Sequence, residues 1–199
     1  MLTMMPMAAC DGSNADPILP EQPGQPGNSD GGDEDDSTDP TNPIPGGNGR
    51  YLVLYCSRTG STERMAQQIQ QTLDCDILEV EPQTPYESDY NGMLNRAQEE
   101  LAAIRQGNYP AIKTSVEDFG NYDIVFVGYP IWYGSMATPM QTFLHNHASK
   151  LAGKRIALFA SSGSSGISAS VDEARTLCSG ATFTETLLLT SSTLSQMGN

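Results

Sequence analysis

Ser57-Arg58-Thr59-Gly60-Ser61-Thr62 follows an apolar run at residues 51–56 and leads into a segment of helical character from Glu63 onward. A strand, a hydroxyl-rich turn and a helix in that order read as the opening unit of an α/β fold. The same turn reads as a phosphate cradle. A helix start presents backbone N–H groups without intrahelical acceptors and the positive end of the helix dipole. Ser and Thr hydroxyls add donors, so a phosphate monoester can be held there without a lysine or a metal ion. The plainer reading is a strand-to-helix turn in which Thr62 caps the helix and nothing binds. The hexapeptide leaves both readings open, and two later stretches bear on the choice.

Beyond it, short apolar runs alternate with helical stretches, the pattern of a parallel sheet covered on both faces. Strands are predicted at residues 51–56, 76–80, 124–128, 155–160 and 186–189, and helices at 62–73, 90–106, 138–150 and 168–178. Met65, Ile69 and Leu73 form a stripe spaced for packing on a sheet. In the 90–106 helix, Met93, Leu94, Ala97, Leu101 and Ile104 are placed inward, with Glu99, Glu100 and Arg105 on a solvated outer face. Ligands in such sheets bind at the carboxyl ends of the strands. Three predicted loops leave those ends, at residues 57–62, 129–138 and 161–168.

The first 49 residues belong to a different class of chain. They supply nine of the 24 acidic residues and none of the 10 basic ones, so the remaining 150 carry a formal charge of −5 out of −14. With Pro and Gly throughout, residues 11–49 cannot bury enough apolar surface to offset chain ordering, and read as a disordered acidic tether. Residues 1–10 end in Met7-Ala8-Ala9-Cys10, similar to the cleavage site of a bacterial lipoprotein signal, although the positive leading segment is missing and the apolar run is short. Lipid anchoring at Cys10 in a bacterial cell envelope is therefore expected, the alternative being an uncleaved N-terminus on a cytoplasmic protein. There is no basic stripe for nucleic acid, and a membrane is reached only through such an anchor. Cys56, Cys75 and Cys178 lack metal-type spacing and read as small buried hydrophobes. His145 and His147, two apart on a helix, do not share a face as a metal pair would.

The second loop, Tyr129-Pro130-Ile131-Trp132-Tyr133-Gly134-Ser135, holds the only Trp of the chain beside a Tyr. Such aromatics suit a flat ring stacked against them, or else Trp132 plugs a sheet edge. The third, Ser161-Ser162-Gly163-Ser164-Ser165-Gly166, lets backbone approach a ligand, or serves as a plain connector. Taken in order, Ser57 to Thr62, Gly128-Tyr129-Pro130-Ile131-Trp132 and Phe159-Ala160-Ser161-Ser162-Gly163 resemble the flavodoxin family over about residues 50–190. The resemblance implies a flavodoxin-like doubly wound five-stranded parallel sheet of order 2-1-3-4-5 with FMN as cofactor. It further implies that Ser57, Thr59, Gly60, Ser61 and Thr62 hold the phosphate, with Arg58 at a variable, solvent-facing position. Pro130, Ile131, Trp132, Tyr133 and Gly134 would flank the flavin, and Ser161, Ser162, Gly163 and Gly166 would cover its pyrimidine side. No catalytic residue and no metal ligand is implied.

One departure concerns the end of the chain, which allows no more than a one-turn stub after the last strand, where the family carries a fifth helix. Apolar surface on the first helix's side is then expected to face water, or to meet a partner chain such as a second copy. Three functions fit. The first is electron carriage, with a redox protein or a small-molecule acceptor as partner. The second is an NAD(P)H-dependent FMN oxidoreductase of quinone-reductase type, and the third a cofactor-free binding module. The absence of a second dinucleotide-binding segment favours the carrier.

Overall fold

The computed structural model describes residues 50–194. The tether at 11–49 and the lipid-anchor expectation at Cys10 lie outside the described residues. Within them the order is β1 (Tyr51–Tyr55), α1 (Ser61–Leu73), β2 (Asp76–Glu79), α2 (Tyr90–Ile104), β3 (Ile124–Trp132), β4 (Ser135–Met136), α3 (Thr138–His147), β5 (Arg155–Ser162), α4 (Ser168–Leu177), β6 (Thr182–Thr190) and α5 (Ser191–Leu194). The sheet runs β2-β1-β3-β5-β6, with every pair along that path parallel. This is the expected doubly wound order, with the strand between α3 and α4 now numbered β5.

The sixth strand is the two-residue β4, which folds back antiparallel on the end of β3 and pairs Ile131 with Met136 and Trp132 with Ser135. Its cause is local: Tyr133 (φ 52°) and Gly134 (φ 81°) both occupy the left-handed region, which makes a two-residue hairpin turn. The 129–138 stretch is thus only partly a loop, since residues 129–132 extend β3. Likewise Ser161 and Ser162 belong to β5, and β6 begins four residues earlier than the apolar run at 186–189 suggests.

Side chains alternate across the sheet, so each strand feeds two cores. Leu52, Leu54, Val125, Val127, Ile156 and Leu158 face α2, α3 and α4, where Met93, Ala97, Phe143 and Leu144 complete the larger cluster. Val53, Tyr55, Ile77 and Phe159 face α1 and pack on Met65 and Ala66. On that second face Tyr51 and Phe126 are only half-buried and meet edge to face at 6.3 Å. Leu187 on the edge strand β6 is 49% exposed.

Candidate functional site

Gly60, in the left-handed conformation, turns the chain from the loop after β1 into α1. No side chain caps this end, so Thr62 is not the helix cap. It is instead the second residue of α1, 1% exposed, and its hydroxyl meets Ser161 Oγ at 2.8 Å. That bond ties the first loop to the end of β5. The first helical hydrogen bond runs from Arg64 N–H to the Gly60 carbonyl at 3.0 Å, so the amides ahead of Arg64 have no helical acceptor. Of this stretch Ser57, Thr59, Ser61 and Thr62 border a cavity of about 400 Å³.

The rest of the cavity comes from the other two loop regions and from α2. Pro130, Ile131, Trp132 and Tyr133 line it from the end of β3, and Ser161 through Ser165 line it from β5 and the loop beyond. Gly60, Gly134 and Gly166 shape or neighbour these turns without lining the cavity. Gly163 and Gly166 take ordinary φ values, and a Cβ at either would meet nothing within 4 Å. Their contribution is open space over the cavity, not an unusual backbone. Ser162 carries the most informative atom: its Oγ is buried and has no hydrogen-bond partner. A buried hydroxyl without a partner costs on the order of 1–3 kcal/mol, which a polar ligand atom would recover.

Arg58 is not solvent-facing. Its guanidinium donates to the carbonyls of Glu87, Ser88 and Asp89, the Ser88 bond being 3.0 Å, and lies 6.0 Å over the Tyr90 ring. It therefore ties the first loop to the segment that opens α2, where Asp89 caps the helix by accepting from Gly92 N–H at 2.7 Å. Tyr90, Met93 and Leu94 of α2 also line the cavity, where the sequence pattern gives Met93 and Leu94 to packing alone. Tyr90 (64% exposed) and Tyr133 (55%) are two of the most exposed large apolar side chains among the described residues, and both border this one cavity.

Trp132 is 9% exposed and ends a strand, where the sequence had placed it in a loop. Its ring meets Tyr86 edge on, at 5.0 Å between centroids. Tyr86 is held by its hydroxyl, which donates to Glu100 and meets Thr138 Oγ1 at 2.7 Å. Burial beside that carboxylate holds the Tyr86 phenol far above its ordinary pKa. Arg96 completes the cluster, 2.8 Å from Glu100 and with its guanidinium 4.1 Å from the Tyr86 ring centroid. Glu100 is therefore part of an internal network, in place of the solvated face expected for it. Among the described residues no group of three His, Cys, Asp or Glu side chains is arranged for a metal ion, and no helix is long and apolar enough to cross a membrane.

Comparison with known proteins agrees with this geometry. A family model described as flavodoxin matches residues 50–198. Among solved structures, a protein described as a flavoprotein from Bacteroides eggerthii DSM 20697 is 32% identical, with a TM-score of 0.63, covering 74% of this chain and 94% of that one. One from Bacteroides uniformis ATCC 8492 is 28% identical (TM-score 0.62; 77% and 98% covered). A flavoprotein from Lactobacillus acidophilus NCFM, solved in complex with FMN, is 25% identical (TM-score 0.61; 75% and 99% covered). No curated protein matches the chain.

Proposed function

The chain belongs to the flavodoxin family, and on that premise we propose that it binds FMN in the 400 Å³ cavity and acts in electron transfer. Bound FMN supplies the capacity to accept and donate electrons, and the chain holds and shields it. Ser57, Thr59, Ser61 and Thr62 receive the phosphate at the start of α1, where Gly60 turns the chain. Arg58 acts one step away, keeping the 87–89 segment closed over that loop. Tyr90, Trp132 and Tyr133 offer aromatic surface to the ring, and Ser161, Ser162 and Gly163 border its polar edge. A redox protein or a small-molecule acceptor takes the electrons.

The observation that carries this reading is the buried, unpartnered Ser162 hydroxyl in a cavity ringed by uncapped helix amides and Ser and Thr hydroxyls. FMN titration into the full chain, followed by flavin fluorescence, tests it. Tight binding is expected, weakened about fivefold in Ser162→Ala by loss of a hydrogen bond of about 1 kcal/mol. Absence of FMN uptake by a folded sample would reject the reading.

A further inference from the structure

A second cavity, of about 300 Å³, lies beside the first. The two share Ser57, Arg58, Pro130 and Trp132 as a common wall, and the size of the second is at the lower end for small-molecule sites. We propose that this second cavity binds a small planar aromatic carboxylate, at the same time as the first cavity is filled. The proposal does not depend on the FMN reading, since its walls exist whatever the first cavity holds.

Shape is the first argument. Pro82, Pro85, Pro139, Val80 and the rings of Tyr86 and Trp132 line the cavity, a rigid and mostly apolar enclosure suited to a flat ring. These walls are fixed in advance. Tyr86 is anchored by Glu100, Thr138 and Arg96 as described, and Arg96 additionally donates to the carbonyls of Pro85 (2.8 Å) and Thr84 (2.9 Å). Across the cavity Lys113 N–H donates to the Glu81 carbonyl at 2.9 Å, and Gln83 N–H donates to the Ala111 carbonyl at 2.9 Å, around an isolated bridge between Pro82 and Ile112. Thr114 Oγ1 donates to the Glu79 carbonyl and accepts from Glu81 N–H, both at 2.9 Å. A pocket ordered this way loses little entropy when a ligand enters.

Charge is the second argument. Lys113 and Glu81 line the cavity and neutralise each other across 3.0 Å. Glu79, which also borders it, is pushed up to about 7, chiefly by burial and then by Glu81 and Glu63, so its negative charge is partial near neutral pH. Arg58 meets three carbonyls and brings a full positive charge. Two cations, Lys113 and Arg58, thus stand against two carboxylates around the cavity, in a chain whose formal charge is −14, and Lys113 keeps N–H donors beyond the one given to Glu81. An apolar box with spare ammonium donors on Lys113 at its rim selects a ring bearing one carboxylate over a cationic ring of the same shape.

The probes are 2-naphthoate, 2-naphthalenemethanol and 2-naphthylmethylamine, titrated into the full chain both free of FMN and saturated with it. Trp132 is the only tryptophan, so its single indole N–H resonance reports the shared wall without ambiguity. Expected is a saturable shift of that resonance with 2-naphthoate, at least tenfold tighter than with the amine, and surviving FMN saturation. Lys113→Met should weaken 2-naphthoate at least tenfold, because it also leaves Glu81 unbalanced, while changing 2-naphthalenemethanol less than threefold and FMN less than twofold. Displacement of 2-naphthoate by FMN would overturn the proposal, since the probe would then have occupied the first cavity. Equal affinity for all three probes, or for Lys113→Met, or no saturable shift at all would overturn it too. If FMN itself fails to bind, the cofactor reading falls and the FMN-free titration still decides this one.

Discussion

Gly128 sits in the middle of β3, paired with Tyr55 of β1 on one side and Phe159 of β5 on the other. A Cβ there would stand 2.1 Å from Cζ of Phe159, far inside any real contact. Gly128→Ala is therefore expected to destabilise the fold by about 1–3 kcal/mol, the usual cost of overpacking, read as a lower urea midpoint. An unchanged midpoint would show that the Phe159 ring swings aside at no cost. This residue marks how far the sequence could be read at its own scale. Gly128 was legible as part of a Gly-x-Pro-x-Trp segment, but only the packing shows that it serves the core under the site and does not line the cavity. The hydroxyls of Ser57 to Thr62 were legible as donors because a strand-turn-helix order puts them at a helix start. The Ser162 hydroxyl could be named but not singled out, since its missing partner is a fact of three dimensions. Arg58 was misread, because nothing local to residues 57–62 says that the carbonyls of residues 87–89 lie within its reach.

The elements were legible where hydrophobic period sets them and not where composition misleads. Residues 129–132 and 161–162 carry Pro and Ser and so read as loop, yet they continue β3 and β5. β1 pairs with β3 only as far as Gly128, so Pro130 falls where β3 has lost one neighbour and its missing N–H breaks no ladder on that side. The segment between β2 and α2 was the least legible, having neither period. Its place is set by side chains far apart in sequence, with Tyr86, Glu100 and Thr138 meeting in one network. That network supports a prediction at the scale of the segment. Tyr86→Phe keeps the ring against Trp132 and removes only the hydroxyl, leaving Glu100 to Thr138 and Arg96. A loss of about 1 kcal/mol is expected for one net hydrogen bond. In a domain of this size that corresponds to roughly 2–4 °C in melting midpoint. A midpoint unchanged from the parent chain would mean that the network does not anchor the segment.

Across the whole molecule, a half-exposed carboxyl and a buried imidazole set opposite pH trends. Glu79, at the end of β2, is held up to about 7 by burial first and then by the charges of Glu81 and Glu63, against an ordinary 4.5. The folded chain thus binds its proton more tightly than the unfolded chain. This contribution to stability is complete below about 4.5 and is lost as pH rises through about 7. His147, at the end of α3, accepts Val116 N–H on Nε2 at 3.1 Å, which places its proton on Nδ1 for the Phe143 carbonyl at 2.9 Å. Burial holds its pKa below the ordinary 6.5, so here the unfolded chain binds the proton more tightly. That contribution is complete above 6.5 and is lost as pH falls toward the lowered folded value. Just below 6.5 the two slopes oppose each other, and from 6.5 to about 7 only the Glu79 loss remains. Replacing Glu79 by Gln removes the descending slope and keeps an acceptor for the Tyr55 hydroxyl, which reaches the carboxylate at 3.5 Å. Glu79→Gln is therefore expected to gain stability over the parent above about pH 7, on the order of 1 kcal/mol once water around the half-exposed side chain is allowed for. Below pH 6.5 the stability of the variant should rise with pH more steeply than that of the parent. Urea unfolding of both chains across this range measures it, and parallel curves would mean that Glu79 titrates alike folded and unfolded.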